Sequence, residues 1–227
     1  MSGLSVVLLS GGMDSCVTAA AAGQTDELAL LHLDYGQRTR SRERRAFREI
    51  ADHYGVPPER RLIVEADFLG RIGGSALTDP AIPVPTADRP EPGIPVTYVP
   101  FRNGHLLSLG VSWAEVLGAA SVFIGVVEED SAGYPDCTEA FCKAFAEAAR
   151  LGTRPESAVR IQTPVIHLSK SDIVLRGTQL EAPLHLTWSC YRDEDLACGR
   201  CDSCRLRLAA FRKAGLQDPI PYQAGTA

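Results

Sequence analysis

"LSVVLLSGGMDSCVTAAAAG", residues 4–23, decides how this chain folds. Its run SVVLLS is continuously apolar at strand length, as a strand covered on both faces requires. The run stops at Ser10-Gly11-Gly12-Met13-Asp14-Ser15, and an alanine-rich stretch of helical character follows. Asp14 or Ser15 is able to cap the start of that helix, and Gly23 is placed to end it. Two adjacent glycines suit neither strand nor helix. They let the backbone close around an anion, and the free N–H groups and partial positive charge of a helix N-terminus favour phosphate there. The loop lacks the Lys of a Walker A sequence and is not GxGxxG.

Working outward, 27–36 reads as a second strand and 61–66 as a third. Between them, 38–55 is an amphipathic helix, with Ala46, Phe47, Ile50, Ala51 and Tyr54 at helical spacing and Gly55 closing it. Its arginines from Arg38 to Arg48 read as a solvated face. Beyond them come a helix over 103–119, a strand over 121–127, a helix over 138–152 and an extended piece over 160–166. A helix over 168–182, with Ser169 as its cap, and a basic helix over 201–215 complete the chain. Strands alternating with helices argue for an α/β fold with a parallel sheet. The expectation is a Rossmann-like, five-stranded parallel sheet with helices on both faces. Residues 75–100 break the rhythm and hold seven of the fifteen prolines, so 80–95 reads as a lid or a disordered segment.

A chain of 227 residues is long enough for one substantial core. The expected division is an ATP-binding and catalytic body over 1–185 and a metal-bearing piece over 186–215 packed on it. Its 23 basic and 28 acidic residues give a net charge of −5, which counts against a nucleic-acid partner. No apolar run is long enough to cross a bilayer, and the N-terminus does not read as a signal peptide, so the expected compartment is the cytoplasm. Four of the seven cysteines, Cys190, Cys198, Cys201 and Cys204, fall within fifteen residues. That is a metal pattern and not a disulfide framework. Four thiolates close a tetrahedral structural zinc site; an iron–sulfur cluster is the competing occupant.

The string SGGMDS after an apolar strand resembles the signature of the N-type ATP pyrophosphatases, the PP-loop enzymes. The resemblance implies that Ser10, Gly11, Gly12, Met13, Asp14 and Ser15 surround the pyrophosphate of ATP, with Asp14 acting through magnesium. Further motifs stand in order: "LDYGQR" (33–38), "GGSALTD" (73–79), "IPVTYVPFRN" (94–103), "GYPDC" (133–137), "TPVIHLSKSDIV" (163–174) and "TWSCY…CGRCDSCRLR" (187–207). Together they resemble the 7-cyano-7-deazaguanine synthases, the QueC family, over nearly the whole chain. The resemblance implies conversion of 7-carboxy-7-deazaguanine, ammonia and ATP into the 7-cyano base by way of an adenylated carboxylate and an amide, and it implies a homodimer.

On this reading Arg102 grips a carboxylate or phosphate oxygen, and Lys170 meets charge developing on phosphate. Asp34, at the end of the second strand, sits where open α/β sheets bind ligands and is a candidate for ATP, with Gln37 and Arg38 just beyond as candidates for the substrate. Asn103, Tyr134 and Asp136 are candidates for the substrate wall. Thr39 stands where the family pattern has His, and Val127-Glu128-Glu129-Asp130 replaces its "NAVD". The altered stretch at 127–130 supports an alternative: a relative that stops at the amide or couples the deazaguanine to another amine or to a protein.

Overall fold

The computed structural model describes residues 3–86, 93–128, 133–157 and 159–225. Five strands, β1 (Gly3–Leu8), β2 (Asp26–Asp34), β3 (Arg61–Glu65), β4 (Ser121–Ile124) and β5 (Arg160–Gln162), form one sheet in the order β3-β2-β1-β4-β5. Every pairing is parallel. This is the expected Rossmann-like α/β sheet. Among the described residues seven α-helices accompany it: α1 (Met13–Ala22), α2 (Arg40–His53), α3 (Asp67–Ile72), α4 (Arg102–Leu117), α5 (Glu139–Gly152), α6 (Lys170–Gln179) and α7 (Asp202–Lys213).

The apolar run of β1 divides by alternation, because successive side chains of a strand point to opposite faces. Val6 and Leu8 join Leu107, Val111 and Ala114 of α4 and Cys142 and Ala149 of α5 on one face. Val7 and the following Leu9 join Ala19 and Ala22 of α1 with Phe47 and Ile50 of α2 on the other. Helices therefore cover both faces, which is why the central strand is apolar without a break from Val6 to Leu8, the buried Ser5 before them bonding to Asp26. A third cluster packs α6 and α7 against α1 through Val17, Ile173, Val174, Ala210 and Phe211.

Chain direction reverses its course across the sheet between β1 and β4, since β2 and β3 lie on one side of β1 and β4 and β5 on the other. The carboxyl ends of β1 and β4 thus form the crevice in which this architecture binds ligands. Gly125, directly after β4, brings that end against α1: a Cβ there would lie 2.9 Å from the carbonyl of Asp14.

Three local readings need correction. α1 is preceded by Gly12 in extended conformation with no side-chain cap, so neither Asp14 nor Ser15 is the N-cap; both lie inside the first turn, where the Ser15 hydroxyl donates back to the Gly12 carbonyl at 2.9 Å. The arginine face of α2 is only partly solvated: Arg42 is buried over the Trp188 ring at 4.8 Å, and Arg44 pairs with Asp34. The extended piece is a strand only to Gln162. α3 has no counterpart in the sequence reading, being six residues with too little periodicity to register. Ser169 does cap α6, in a capping box closed by Asp172. The central part of the proline-rich segment, 87–92, and Glu129 and Asp130 of the altered stretch lie outside the described residues.

Candidate active site

A cavity of about 1060 Å³ opens at the carboxyl ends of β1 and β4. Ser10, Gly12, Met13, Asp14 and Ser15 of the first loop line it, as does Lys170. The loop is held from within: the Ser10 and Ser15 hydroxyls lie 3.0 Å apart, and the Gly12 N–H donates to the Ser10 hydroxyl. Gly11 is the tightest point. Its φ is +88°, and a Cβ there would meet the Glu43 carbonyl at 2.9 Å and Ala46 Cβ at 3.0 Å. Only glycine combines that conformation with that approach.

Lys170 Nζ donates to Asp14 Oδ2 at 2.5 Å, joining the first turns of α6 and α1 across 156 positions of sequence. Asp14 Oδ1 is buried with no hydrogen-bond partner among the described residues. A carboxylate oxygen in that position suits a hard cation, which takes oxygen ligands.

The opposite wall is aromatic and basic. Arg102 stands at the start of α4, with its guanidinium 5.6 Å over the Tyr35 ring and Nη1 3.3 Å from the Tyr35 hydroxyl. Tyr134 stacks on Tyr98, and its hydroxyl lies 2.6 Å from that of Thr97. Asn103 and Tyr191 complete this wall. Aromatic and hydrogen-bonding side chains of this kind are what a flat heterocycle binds to.

Five of the residues singled out for the nucleotide and substrate do not line this cavity: Gly11, packed against α2, and four polar residues. Asp34 is buried, paired with Arg44 Nε at 2.5 Å and accepting from the Gly36 N–H at 3.0 Å. Gln37 bridges the Tyr35 N–H and the Glu43 carboxylate, both at 2.9 Å. Arg38 donates to the carbonyls of Ala76, Asp79 and Ile82 and so pins the start of the proline-rich segment. Asp136 accepts the Asn103 N–H at 2.9 Å, capping α4 from outside. Each shapes the wall without facing the ligand space.

The reverse also holds. Glu43 lines the cavity although its place in an arginine-rich helix suggested only solvent. Its two oxygens accept from Gln37 Nε2 at 2.9 Å and from the Thr39 hydroxyl at 2.8 Å. Burial pushes its carboxyl up to about 7, against the lowering effect of those two hydrogen bonds and of Arg102. Trp188, Tyr35 and Tyr191 are further lining residues that the sequence did not mark, and the exposed Arg200, Arg205 and Arg212 surround the part next to α7. Tyr35 stands inside the quoted 33–38 motif, and Trp188, Tyr191, Arg200 and Arg205 inside the quoted 187–207 motif, so those strings covered them without marking them singly.

Cys190, Cys198, Cys201 and Cys204 converge, all buried, with their sulfurs within 4.8 Å of one another. This is a four-cysteine metal-binding site. The N–H groups of Arg192, Asp193 and Cys198 point at Cys190 Sγ at 3.4 Å, and those of Arg200 and Cys201 at Cys198 Sγ, which suits sulfurs carrying negative charge. A single ion with metal–sulfur bonds of about 2.3 Å places tetrahedral sulfurs about 3.8 Å apart; Cys198 and Cys204 stand at 4.0 Å. The knot packs on Ala46 of α2. It also reaches the first loop, for the Trp188 N–H donates to the Gly11 carbonyl at 2.8 Å. Arg207 of α7 braces it from below, buried with Asp218 at 2.8 Å and bonded to the Thr187 hydroxyl at 2.6 Å.

The family model described as "Queuosine biosynthesis protein QueC" matches residues 4–215. The chain is 56% identical over 219 residues, 96% of each chain, to the 7-cyano-7-deazaguanine synthase of Chlorobium phaeobacteroides (strain DSM 266). It is 55% identical over the same length to those of Chlorobaculum parvum and Chloroherpeton thalassium, again across 96% of both chains. Among solved structures, the U34-tRNA thiolase NcsA of Methanococcus maripaludis with its [4Fe-4S] cluster aligns with a TM-score of 0.47 at 15% identity, over 80% of this chain and 58% of that one. That likeness is too loose to build on.

Proposed function

The chain belongs to the QueC family of queuosine biosynthesis proteins, and from that premise we propose that it is an ATP-dependent carbon–nitrogen ligase that turns 7-carboxy-7-deazaguanine and ammonia into 7-cyano-7-deazaguanine. The observation that carries the reading is the Asp14–Lys170 pair at 2.5 Å, set on the SGGMDS loop at the mouth of a cavity large enough for a nucleotide and a base.

The nucleotide phosphates lie along Ser10 to Ser15, where N–H groups and hydroxyls converge. Asp14, through its unpartnered Oδ1, is the residue that would hold magnesium, which screens the phosphate charge. Lys170 stabilises charge as pyrophosphate leaves. Arg102 orients the substrate carboxylate, and Tyr35, Tyr134 and Asn103 flank the heterocycle. The carboxylate attacks the α-phosphorus, ammonia displaces AMP to give the amide, and a second adenylation on the amide oxygen lets that oxygen leave with AMP as the nitrile forms. The arrangement of Asp34, Gln37, Arg38 and Asp136 supports roles in positioning this wall. The four cysteines would hold zinc as a structural ion, four thiolates being enough to fill a tetrahedral site, and the Trp188–Gly11 bond couples their loop to the phosphate loop. A four-iron cluster spreads its cysteine sulfurs farther apart than a single ion does, so the compact set favours zinc.

Among the described residues no helix is long and apolar enough to cross a membrane. The charge of −5 accords with small-molecule substrates and no nucleic-acid partner. A cytoplasmic homodimer, and a division into a body over 1–185 and a metal knot over 186–215, complete the proposal and rest on the family alone. The test is mass spectrometry of purified protein with ATP, magnesium, ammonium and 7-carboxy-7-deazaguanine. The expected product is the nitrile, with two AMP formed for each, and it disappears in Asp14→Ala. Accumulation of the amide, or of a conjugate with another amine, would move the assignment to the alternative ligase. Failure to consume ATP would overturn both.

A further inference from the structure

The ligase chemistry leaves a requirement that the phosphate loop does not meet. When ammonia attacks the adenylate, the C–N bond forms, the C–O bond to AMP breaks with its electron pair, and one proton must leave nitrogen. In the second round the amide oxygen bonds to phosphorus and later departs with AMP. The nitrogen then gives up its two remaining protons as the triple bond forms. Every one of these protons needs an acceptor beside the reacting carbon.

Three carboxylates line the cavity among the described residues: Asp14, Glu43 and Asp202. Asp14 is bound to Lys170. Asp202 opens α7 in the basic quarter of the cavity. Glu43 differs from both, because its two oxygens accept only from the neutral groups Gln37 and Thr39, and each oxygen keeps a second lone pair. Its own backbone carbonyl is the atom that a Cβ on Gly11 would strike, so α2 delivers Glu43 directly beside the phosphate loop. Arg102 and Tyr35 face it from α4 and the end of β2, with Asp34 on the same strand. The wall that holds the substrate and the loop that holds the nucleotide therefore meet at this side chain.

We propose, resting on the ligase reading above, that Glu43 is the general base that takes the protons from nitrogen in both rounds and releases them to water between steps. Gln37 and Thr39 aim the carboxylate. Burial raises the carboxyl to about 7, Asp34 adds to the rise, and Arg102 and the two hydrogen bonds oppose it. A base poised near the working pH transfers protons most effectively.

The experiment compares wild type, Glu43→Gln and Glu43→Asp by two readouts. Pyrophosphate release driven by 7-carboxy-7-deazaguanine without ammonium reports adenylation, which needs no base. Amide and nitrile formation is followed from pH 6 to 9 with the concentration of neutral ammonia held constant. Adenylation is expected to persist in Glu43→Gln, which also shows that the variant is folded, while C–N bond formation falls at least about 100-fold. The wild-type kcat rises to a plateau through a limb near pH 7; the limb vanishes in Glu43→Gln and returns, at reduced rate, in Glu43→Asp. A retained limb in Glu43→Gln, or an unchanged kcat with a raised KM for the acid, would overturn the assignment and make Glu43 a binding group. Absence of pyrophosphate release in the wild type would instead overturn the ligase reading, and this one with it.

Discussion

Gly11→Ala, set against Gly12→Ala, tests whether the phosphate loop is shaped by its packing or only by its ligand. At Gly11 the backbone sits at φ +88°, where a residue with a Cβ carries a cost of about 1–2 kcal/mol. The added carbon also lies 2.9 Å from the Glu43 carbonyl, a backbone atom that moves only if α2 moves. Overpacking of that kind costs about 1–3 kcal/mol. Together the two effects come to about 3 kcal/mol, which for a chain of this size lowers Tm by roughly 6–12 °C. Gly12 lies at φ −80°. A Cβ there would approach the Ser10 hydroxyl at 3.3 Å, a group that can rotate away, and the Trp188 carbonyl at 3.7 Å, an ordinary contact. Its replacement is expected to cost under about 1 kcal/mol, a small surface-type effect. Urea unfolding of the metal-loaded proteins, followed by the fluorescence of Trp113 and Trp188 and checked by calorimetry, gives both values. Equal losses at the two glycines, or a loss below about 0.5 kcal/mol at Gly11, would refute the packing argument.

Lys170→Met is expected to reduce substrate-dependent pyrophosphate release by about 100- to 1,000-fold. It should cost under about 1 kcal/mol in stability, because the Asp14–Lys170 pair is partly open to water; a large stability loss in urea unfolding would show the pair to be architectural. Metal analysis of the purified protein is expected to return one zinc per chain, lost in Cys198→Ser together with tight ATP binding, since the knot bonds to Gly11 through Trp188. Iron with acid-labile sulfide would contradict it. Two desolvated groups, the buried His32 and the half-buried Glu43, make stability depend on pH in opposite senses. Burial lowers His32 to about 4 from 6.5, so its contribution is present above 6.5 and lost as pH falls through 4. Glu43 is raised to about 7 from 4.5, so its contribution is present below 4.5 and lost as pH rises through 7. Each is worth roughly 3 kcal/mol across its window at 1.36 kcal/mol per unit. The two nearly cancel in the wild type. Urea stabilities at pH 7 and 4.5 should therefore show Glu43→Gln losing stability toward acid and His32→Gln gaining it, each relative to wild type; parallel curves would contradict the assignment.

Local pattern was enough to specify the sheet and the metal site. The apolar β1, the double-glycine loop and the alternation of strand and helix require a parallel sheet with a phosphate-sized opening, because each depends on neighbours a few positions away. Four cysteines within fifteen residues specify a metal site because short loops leave their sulfurs nowhere else to go. The Ser169 cap belongs to the same class, its partner being Asp172 three residues on.

Which polar residues meet, and which lose water, was settled by the packing of distant elements. Asp34, Gln37 and Arg38 adjoin one another in an eye-catching motif, yet they spend their hydrogen bonds on Arg44, Glu43 and the carbonyls of 76–82. Glu43, unremarked among arginines, faces the cavity because α2 is pressed against Gly11 and clamped by Gln37 and Thr39. Lys170 finds Asp14 only because α6 packs on α1 through Val17, Ile173 and Val174. A carboxylate's neighbours, and hence its protonation and its use, are set by elements arriving from distant parts of the chain. Residue type and spacing record none of that: desolvation and charge pairing are properties of the packed interior and not of the strand or helix that supplies the side chain.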